Sequence, residues 1–171
     1  ESRRYVVPSA PGKRFSADTK VTDLLYACYD KAEAGEDFSD ILTEIKSRFY
    51  EIIKGLNLDL SLEEEFRQIE ADFKAHAGNE YAASRGEFLN GKVMAAYLGY
   101  EFIDSATVIR FDKNGNFDAD KTDKLLAKRL QKCERAVIPG FYGGMEDGTV
   151  KTFSRGGSDV TGSLVAKAIH A

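Results

Sequence analysis

A chain of 171 residues, 43% hydrophobic and 30% charged, is long enough for one domain with a sizeable core and too apolar to stay disordered. Its net charge of −4, with no basic stripe, argues against a nucleic-acid partner, because neutralising phosphates takes a concentrated excess of Lys and Arg. No apolar run is long enough to span a membrane and no signal-peptide pattern precedes the fold, while Cys28 and Cys133 lie in helical patterns without CxxC spacing, as suits free thiols in a reducing, cytoplasmic compartment.

The stretch YVVPSA reads as a buried strand ended by Pro8 and followed by a long loop, PGKRFSADTK. Leu24, Leu25, Cys28 and Ala32 recur at helical spacing, with Thr22 or Asp23 available as a cap and Gly35 as a stop. The clearest helix runs from Ser39 to near Gly55, with Ile41, Leu42, Ile45, Phe49, Ile52, Ile53 and Leu56 on one face. The next opens with the capping-box spacing Ser61 to Glu64 and is expected to stop near Gly78. A fourth, EYAASRGEFLNGKVMAAYLGY, holds Gly86 and Gly91, each of which weakens a helix by about 1 kcal/mol relative to Ala.

Two short strands are predicted in EFID and ATVIRFD. DKNGNFD is a polar turn: an EF-hand loop counted from Asp112 needs Gly at its sixth position and Glu at its twelfth, where Phe117 and Asp123 stand. A helix over 120–133, the buried strand AVIPGF, a hairpin turning at Asp147 and Gly148, and a last helix complete the pattern. Strands alternating with helices predict an α/β fold covered on both faces of a mainly parallel sheet.

Ligands of such sheets lie beyond the carboxyl ends of the strands, which singles out the segments PSAPGK, PGFYGG and SRGGSD. In the last, paired glycines allow close backbone approach, Ser158 or Asp159 can cap the helix, and Arg155 offers a planar fork for a carboxylate or phosphate. An RGG turn before a helix is equally described as a plain capped turn. Arg85 and Glu87 point to different sides of a helix, either as exposed charge or, with Gly86 admitting a close neighbour, with Glu87 facing an ammonium. PSAPGK is not a Walker loop, His76 and His170 stand alone, and neither zinc spacing nor a Ser/His/Asp order is present.

Taken in order, VVPSAPGK…TDLL, ASRGEFLNGKVMAAYLG, FIDS, VIPGFYG and FSRGGSDVTGSLVAKAIHA resemble the catalytic domain of aspartokinases, within the amino-acid kinase family. The resemblance runs nearly end to end, with residues 36–79 matching in helical character only. It implies a three-layer αβα sandwich of the carbamate-kinase-like type, incomplete here, with residues 1–171 forming the substrate-binding portion of one catalytic domain. It also implies phosphoryl transfer from ATP, with Mg²⁺, to the side-chain carboxylate of L-aspartate, the entry to lysine, threonine and methionine synthesis.

By the same resemblance Ser9 is the strand-end serine, Thr22 the threonine of the following helix start and Glu87 the substrate glutamate. Gly140 and Phe141 stand at the family's QGF position. Arg155, Gly156, Gly157, Ser158 and Asp159 form its RGGSD loop, where Arg155 clamps the α-carboxylate, Ser158 meets aspartate and Asp159 organises the loop and a neighbouring lysine. Ser154 replaces a common glycine. The family's K-F-G-G-[ST]-S strand, its W-T-D-V-D-G segment and its ACT domains have no counterpart in these 171 residues. The expectation is therefore a fragment, inactive alone, whose unpaired strand edges favour a homo-oligomer. A glutamate or acetylglutamate kinase and a non-catalytic binding module are the alternatives.

Overall fold

The computed structural model describes residues 4–154 and 156–170. Three short parallel strands form the centre: β1 (Tyr5–Val6), β2 (Glu101–Phe102) and β3 (Ala136–Val137), in the order β1-β3-β2. Tyr5 and Glu101 flank Ala136, and Val6 and Phe102 flank Val137. Alternation then sorts the side chains. Tyr5, Val7, Ala136, Ile138 and Ile103 join a cluster with Leu126 and Leu130 of helix α6 (Ala119–Leu130) and Val165 of helix α7 (Gly157–Ala168).

The opposite face is covered by α4 (Asn79–Leu98), whose Phe88 ring meets Phe102 edge-on at 5.5 Å. This helix also belongs to a second cluster with α1 (Val21–Glu33), α2 (Ser39–Gly55) and α3 (Glu63–Lys74). Leu25, Ile45, Phe49, Leu62, Phe66, Phe73 and Leu89 are fully buried there, each worth roughly 1.5–3 kcal/mol. The hairpin strands β4 (Tyr142–Gly144) and β5 (Val150–Thr152) form a separate antiparallel pair beside the sheet. Layers of helix, sheet and helix make this an α/β fold of the kind expected.

Several boundaries differ from the sequence reading for local reasons. The segment ATVIRFD is not a strand: α5 (Ser105–Val108) forms because the Asp104 side chain caps it, accepting the Ala106 N–H at 3.0 Å. Only single bridges, Arg110 to Gly144 and Phe111 to Phe117, follow. Helix α1 starts at Val21 behind Lys20, so Thr22 and Asp23 lie in its first turn and cap nothing. Helix α3 starts at Glu63, and Ser61 Oγ accepts only that residue's N–H at 3.4 Å. It stops at Lys74, because His76 turns left-handed and Ala77 N–H closes on the Asp72 carbonyl. Gly78 instead leads into α4.

Asp118 caps α6, and the turn after Asp112 is polar as read, its carboxylate accepting the N–H groups of Asn114 and Asn116. Cys28 and Cys133 are free and buried. Among the described residues no helix is long and apolar enough to cross a membrane.

Candidate active site

Chain exits from β1 and β3 lie side by side at the carboxyl end of the sheet, stitched by the Gly140 N–H donating to the Pro8 carbonyl at 3.0 Å. Helix α7 is laid directly onto them. A Cβ on Gly140 would sit 2.5 Å from Ser158 Oγ and 2.7 Å from Ser158 Cα, and one on Gly157 would sit 2.7 Å from Phe141 Cα. Only glycine at each side of this contact lets the backbones approach so closely. In consequence Ser9 Oγ donates to Ser158 Oγ at 2.7 Å across 149 residues of sequence.

Phe141 holds φ +80°, a conformation costing a bulky residue about 1–3 kcal/mol. It is fixed there from three sides. Its N–H donates to Thr161 Oγ1 at 3.2 Å, its carbonyl accepts from Phe153 at 2.9 Å, and Gly157 packs on its Cα. Gly156, also left-handed, caps α7, so Ser158 and Asp159 sit inside its first turn rather than at its cap. Asp159 is exposed, with no partner for its carboxylate among the described residues and its carbonyl accepting from Ser163 Oγ at 3.0 Å. The expectation for Arg155 falls outside the described residues.

Helix α4 forms the facing wall. Asn90 Nδ2 donates to the Ser9 carbonyl at 2.7 Å, and a Cβ on Gly86 would come within 2.8 Å of Ala10 Cβ. The exposed reading of Arg85 and Glu87 does not hold: they are 6% and 7% exposed. The Arg85 guanidinium lies 4.4 Å from the ring centres of both Tyr81 and Phe88 and 5.4 Å from that of Tyr142, an aromatic cradle for a cation. Its donors go to Ser84 Oγ and the Tyr81 carbonyl.

Glu87 has no comparable support. Its Oε2 is buried without a hydrogen-bond partner among the described residues, and burial pushes the carboxyl up to about 7, with the N–H groups of Glu87 and Ala10 and the charge of Arg85 pulling the other way. A buried carboxylate with one oxygen left unpartnered would gain from a cation brought against it. Thr22 is half-buried one turn before Tyr26, whose hydroxyl is raised first by burial and then by the charges of Glu80 and Glu87.

The structure thus gathers Ser9, Ser158, Gly140, Phe141 and Gly157 at one contact, brings Glu87 to it through Ala10, and leaves Asp159 facing solvent. Asn90 and Thr161 escaped the sequence reading. Asn90 stands one helical turn after Glu87 and Thr161 one turn after Gly157, so spacing from the recognised residues could have found both.

The model of the amino acid kinase family matches residues 5–171. The chain belongs to the amino acid kinase family. It is 35% identical to Aspartokinase 3 of Bacillus subtilis over 185 aligned residues, covering 99% of this chain and 40% of that protein. Its fold is similar to the crystal structure of Clostridium acetobutylicum aspartate kinase, with a TM-score of 0.95, 47% identity and coverage of 99% of this chain and 39% of that one. It is also similar to Escherichia coli aspartokinase III in complex with aspartate and ADP, with a TM-score of 0.77, 26% identity and coverage of 98% and 40%. The chain therefore spans about 40% of the length of the curated relative.

Two hydroxyls at a helix N-terminus and a buried carboxylate together suit a molecule that carries both an anionic group and a cation. Among the described residues no group of three or more His, Cys, Asp or Glu side chains could hold a metal ion.

Proposed function

We propose that residues 1–171 are the acceptor-binding portion of an amino acid kinase catalytic domain, that the acceptor is L-aspartate, and that the reaction is phosphoryl transfer from ATP to its side-chain carboxylate, giving 4-phospho-L-aspartate. The observation that carries this reading is the buried, unpartnered oxygen of Glu87. An ammonium supplies the missing charge, which favours a free amino acid over an N-acetylated one. The Ser9 and Ser158 hydroxyls and the N–H groups at the start of α7 suit a carboxylate, and Arg155 is assigned to the α-carboxylate through the family resemblance.

In the reaction an oxygen of the aspartate side chain bonds to the γ-phosphorus while the bond from that phosphorus to the bridging oxygen breaks, its electron pair leaving with ADP. The attacking carboxylate is already ionised at neutral pH, so no residue need act as base. What the chain contributes is position: Glu87 fixes the ammonium end, the serine pair fixes a carboxylate, and the rigid turn at Phe141 sets the distance between them. Asp159, exposed and unpartnered among the described residues, is assigned an organising role in its loop. ATP and Mg²⁺ enter through the family resemblance, with ADP beside aspartate in the Escherichia coli aspartokinase III complex as support for the nucleotide, and since the chain spans 40% of the relative's length, we propose that the 171 residues alone form no acyl phosphate. We further propose a homo-oligomer in the cytoplasm, supported by β1 and β2 as open sheet edges and by two unpaired buried cysteines.

Titration calorimetry on the chain with aspartate, succinate, N-acetylaspartate and glutamate tests the acceptor. Aspartate is expected to bind at least about tenfold more tightly than succinate, which lacks the ammonium. Equal binding of the two would refute the role of Glu87, and preference for glutamate would refute aspartate. Acyl phosphate, trapped as the hydroxamate, from the 171 residues with ATP and Mg²⁺ would overturn the proposed inactivity.

A further inference from the structure

Residues 9–20 connect Ser9 to the start of α1 without regular structure, yet the loop is anchored at its middle by a side chain from α2. Arg48 is 4% exposed. One of its terminal nitrogens donates to the Thr19 carbonyl, the other to the Gly12 carbonyl at 2.7 Å and to Asp18 Oδ2, an ion pair at 3.3 Å. Asp18, 7% exposed, is in turn gripped by Arg14, whose backbone N–H and Nε reach Oδ2 at 3.0 Å and whose terminal nitrogen reaches Oδ1 at 3.1 Å. Arg14 also pairs with Glu51 of α2 at 3.1 Å.

The placement of these bonds gives them a purpose. Gly12 stands three residues after Ser9, and Thr19 three residues before Thr22, so a single planar fork ties together the two halves of the loop just inside the two candidate hydroxyls. An apolar side chain at position 48 would strand two carbonyls and leave a buried carboxylate with one arginine instead of two. We propose that Arg48, acting with Asp18, is a positioning residue for the acceptor site: it fixes the loop between Ser9 and Thr22, so that Ser9 stays on Ser158 at the spacing the substrate needs. Arg48 itself has no place in the cleft and acts through the loop. The inference rests on the aspartate reading only for its affinity readout.

Two measurements on the full chain test it, with Arg48→Met, Arg48→Lys, Asp18→Asn and, as a control for lost stability, Ile45→Val on the same helix. Trypsin reports the loop, which holds Lys13, Arg14 and Lys20, through the masses of fragments cut there. Calorimetry reports aspartate affinity. Arg48→Met is expected to raise the rate of loop cleavage and the aspartate Kd about tenfold each. Arg48→Lys should recover part of both, since its ammonium keeps a charge for Asp18 but not the planar fork that spans the two carbonyls, while Ile45→Val changes neither by more than about twofold. If Arg48→Met does not fold, Asp18→Asn should show the same pair of effects in smaller degree.

Unchanged loop cleavage in the folded variants would overturn the clamp. Faster cleavage with unchanged affinity, or an equal loss of affinity in Ile45→Val, would overturn its positioning role. Failure of the unaltered chain to bind aspartate would instead refute the acceptor, with the proteolysis still deciding on the clamp.

Discussion

Replacing Glu87 by Gln is expected to make the ligand-free protein more stable at pH 8 while making it a poorer binder of aspartate. Burial pushes this carboxyl up to about 7, against 4.5 for an ordinary glutamate, so between those values the folded protein keeps a proton that the unfolded chain has released. Stability therefore falls as pH rises through that window. At about 1.4 kcal/mol for each pH unit, the gap sets an upper limit of about 3.5 kcal/mol for the cost of holding the ionised group at pH 8.

Gln keeps the shape without the charge but buries an amide of its own, so the net gain at pH 8 should be roughly 1–3 kcal/mol, shrinking below about 1 kcal/mol at pH 5 where the folded carboxyl is protonated. Urea denaturation followed by circular dichroism at the two pH values measures this. The ionised fraction of a group titrating near 7 rises from about a tenth at pH 6 to about nine-tenths at pH 8, so aspartate should bind the unaltered chain about tenfold more tightly at the higher pH. Glu87→Gln should bind weakly at both. If the variant were less stable than the unaltered chain at pH 8, the carboxylate would already be satisfied in the free protein and the case for an ammonium would collapse.

Gly140→Ala drives a methyl into the backbone of Ser158 and should cost about 1–3 kcal/mol, lower the melting temperature by several degrees and weaken aspartate binding. Gly162→Ala, on the same helix with nothing within 4 Å of the added Cβ, should instead stabilise by about 0.5–1 kcal/mol and leave binding alone. Burial pushes the Cys28 thiol up to about 12, so a disulfide reagent at pH 8 should modify it only after denaturation; modification in native buffer would contradict its burial. Light scattering should find dimers or larger species, and a monomer at all concentrations would refute the proposed oligomer.

What the sequence made legible was what local spacing controls. Helix α2 begins and ends at the residues its apolar stripe and Gly55 indicate, and AVIPGF and the hairpin turn at Asp147 lie where their β-branched and turn residues place them. ATVIRFD misled because one Asp104 carboxylate, just upstream, offers a helical turn a better bond than an unpaired strand would find. For Arg85 and Glu87 the sequence left two readings open, exposed charge or, with Gly86 admitting a close neighbour, Glu87 facing an ammonium. A helical pattern shows which residues share a face but not what arrives to cover it: Ala10 comes in against Gly86 from a distant loop, and Tyr81, Phe88 and Tyr142 enclose Arg85. Arg48 stayed hidden for the same reason: between Ile45 and Phe49 it reads as a charge flanking an apolar stripe, and only the loop folded over α2 shows that it is buried.

The bond between Ser9 and Ser158 also bears on the order in which the protein assembles. Helices α1 to α4 share a core made of contacts near in sequence, whereas β1 must await β3, and Ser9 must await a helix 149 residues further on. Closing so long a loop adds little to the free-energy cost, about 0.6 kcal/mol for each doubling of length, but it puts the event late. During synthesis helices α1 to α4 can condense before α7 has been made, and the contact between Ser9 and Ser158 forms only when α7 docks. Helix α4 packs in the first hydrophobic cluster and α7 in the second, so partial opening of the second would part Ser158 from Ser9 while the first stays folded.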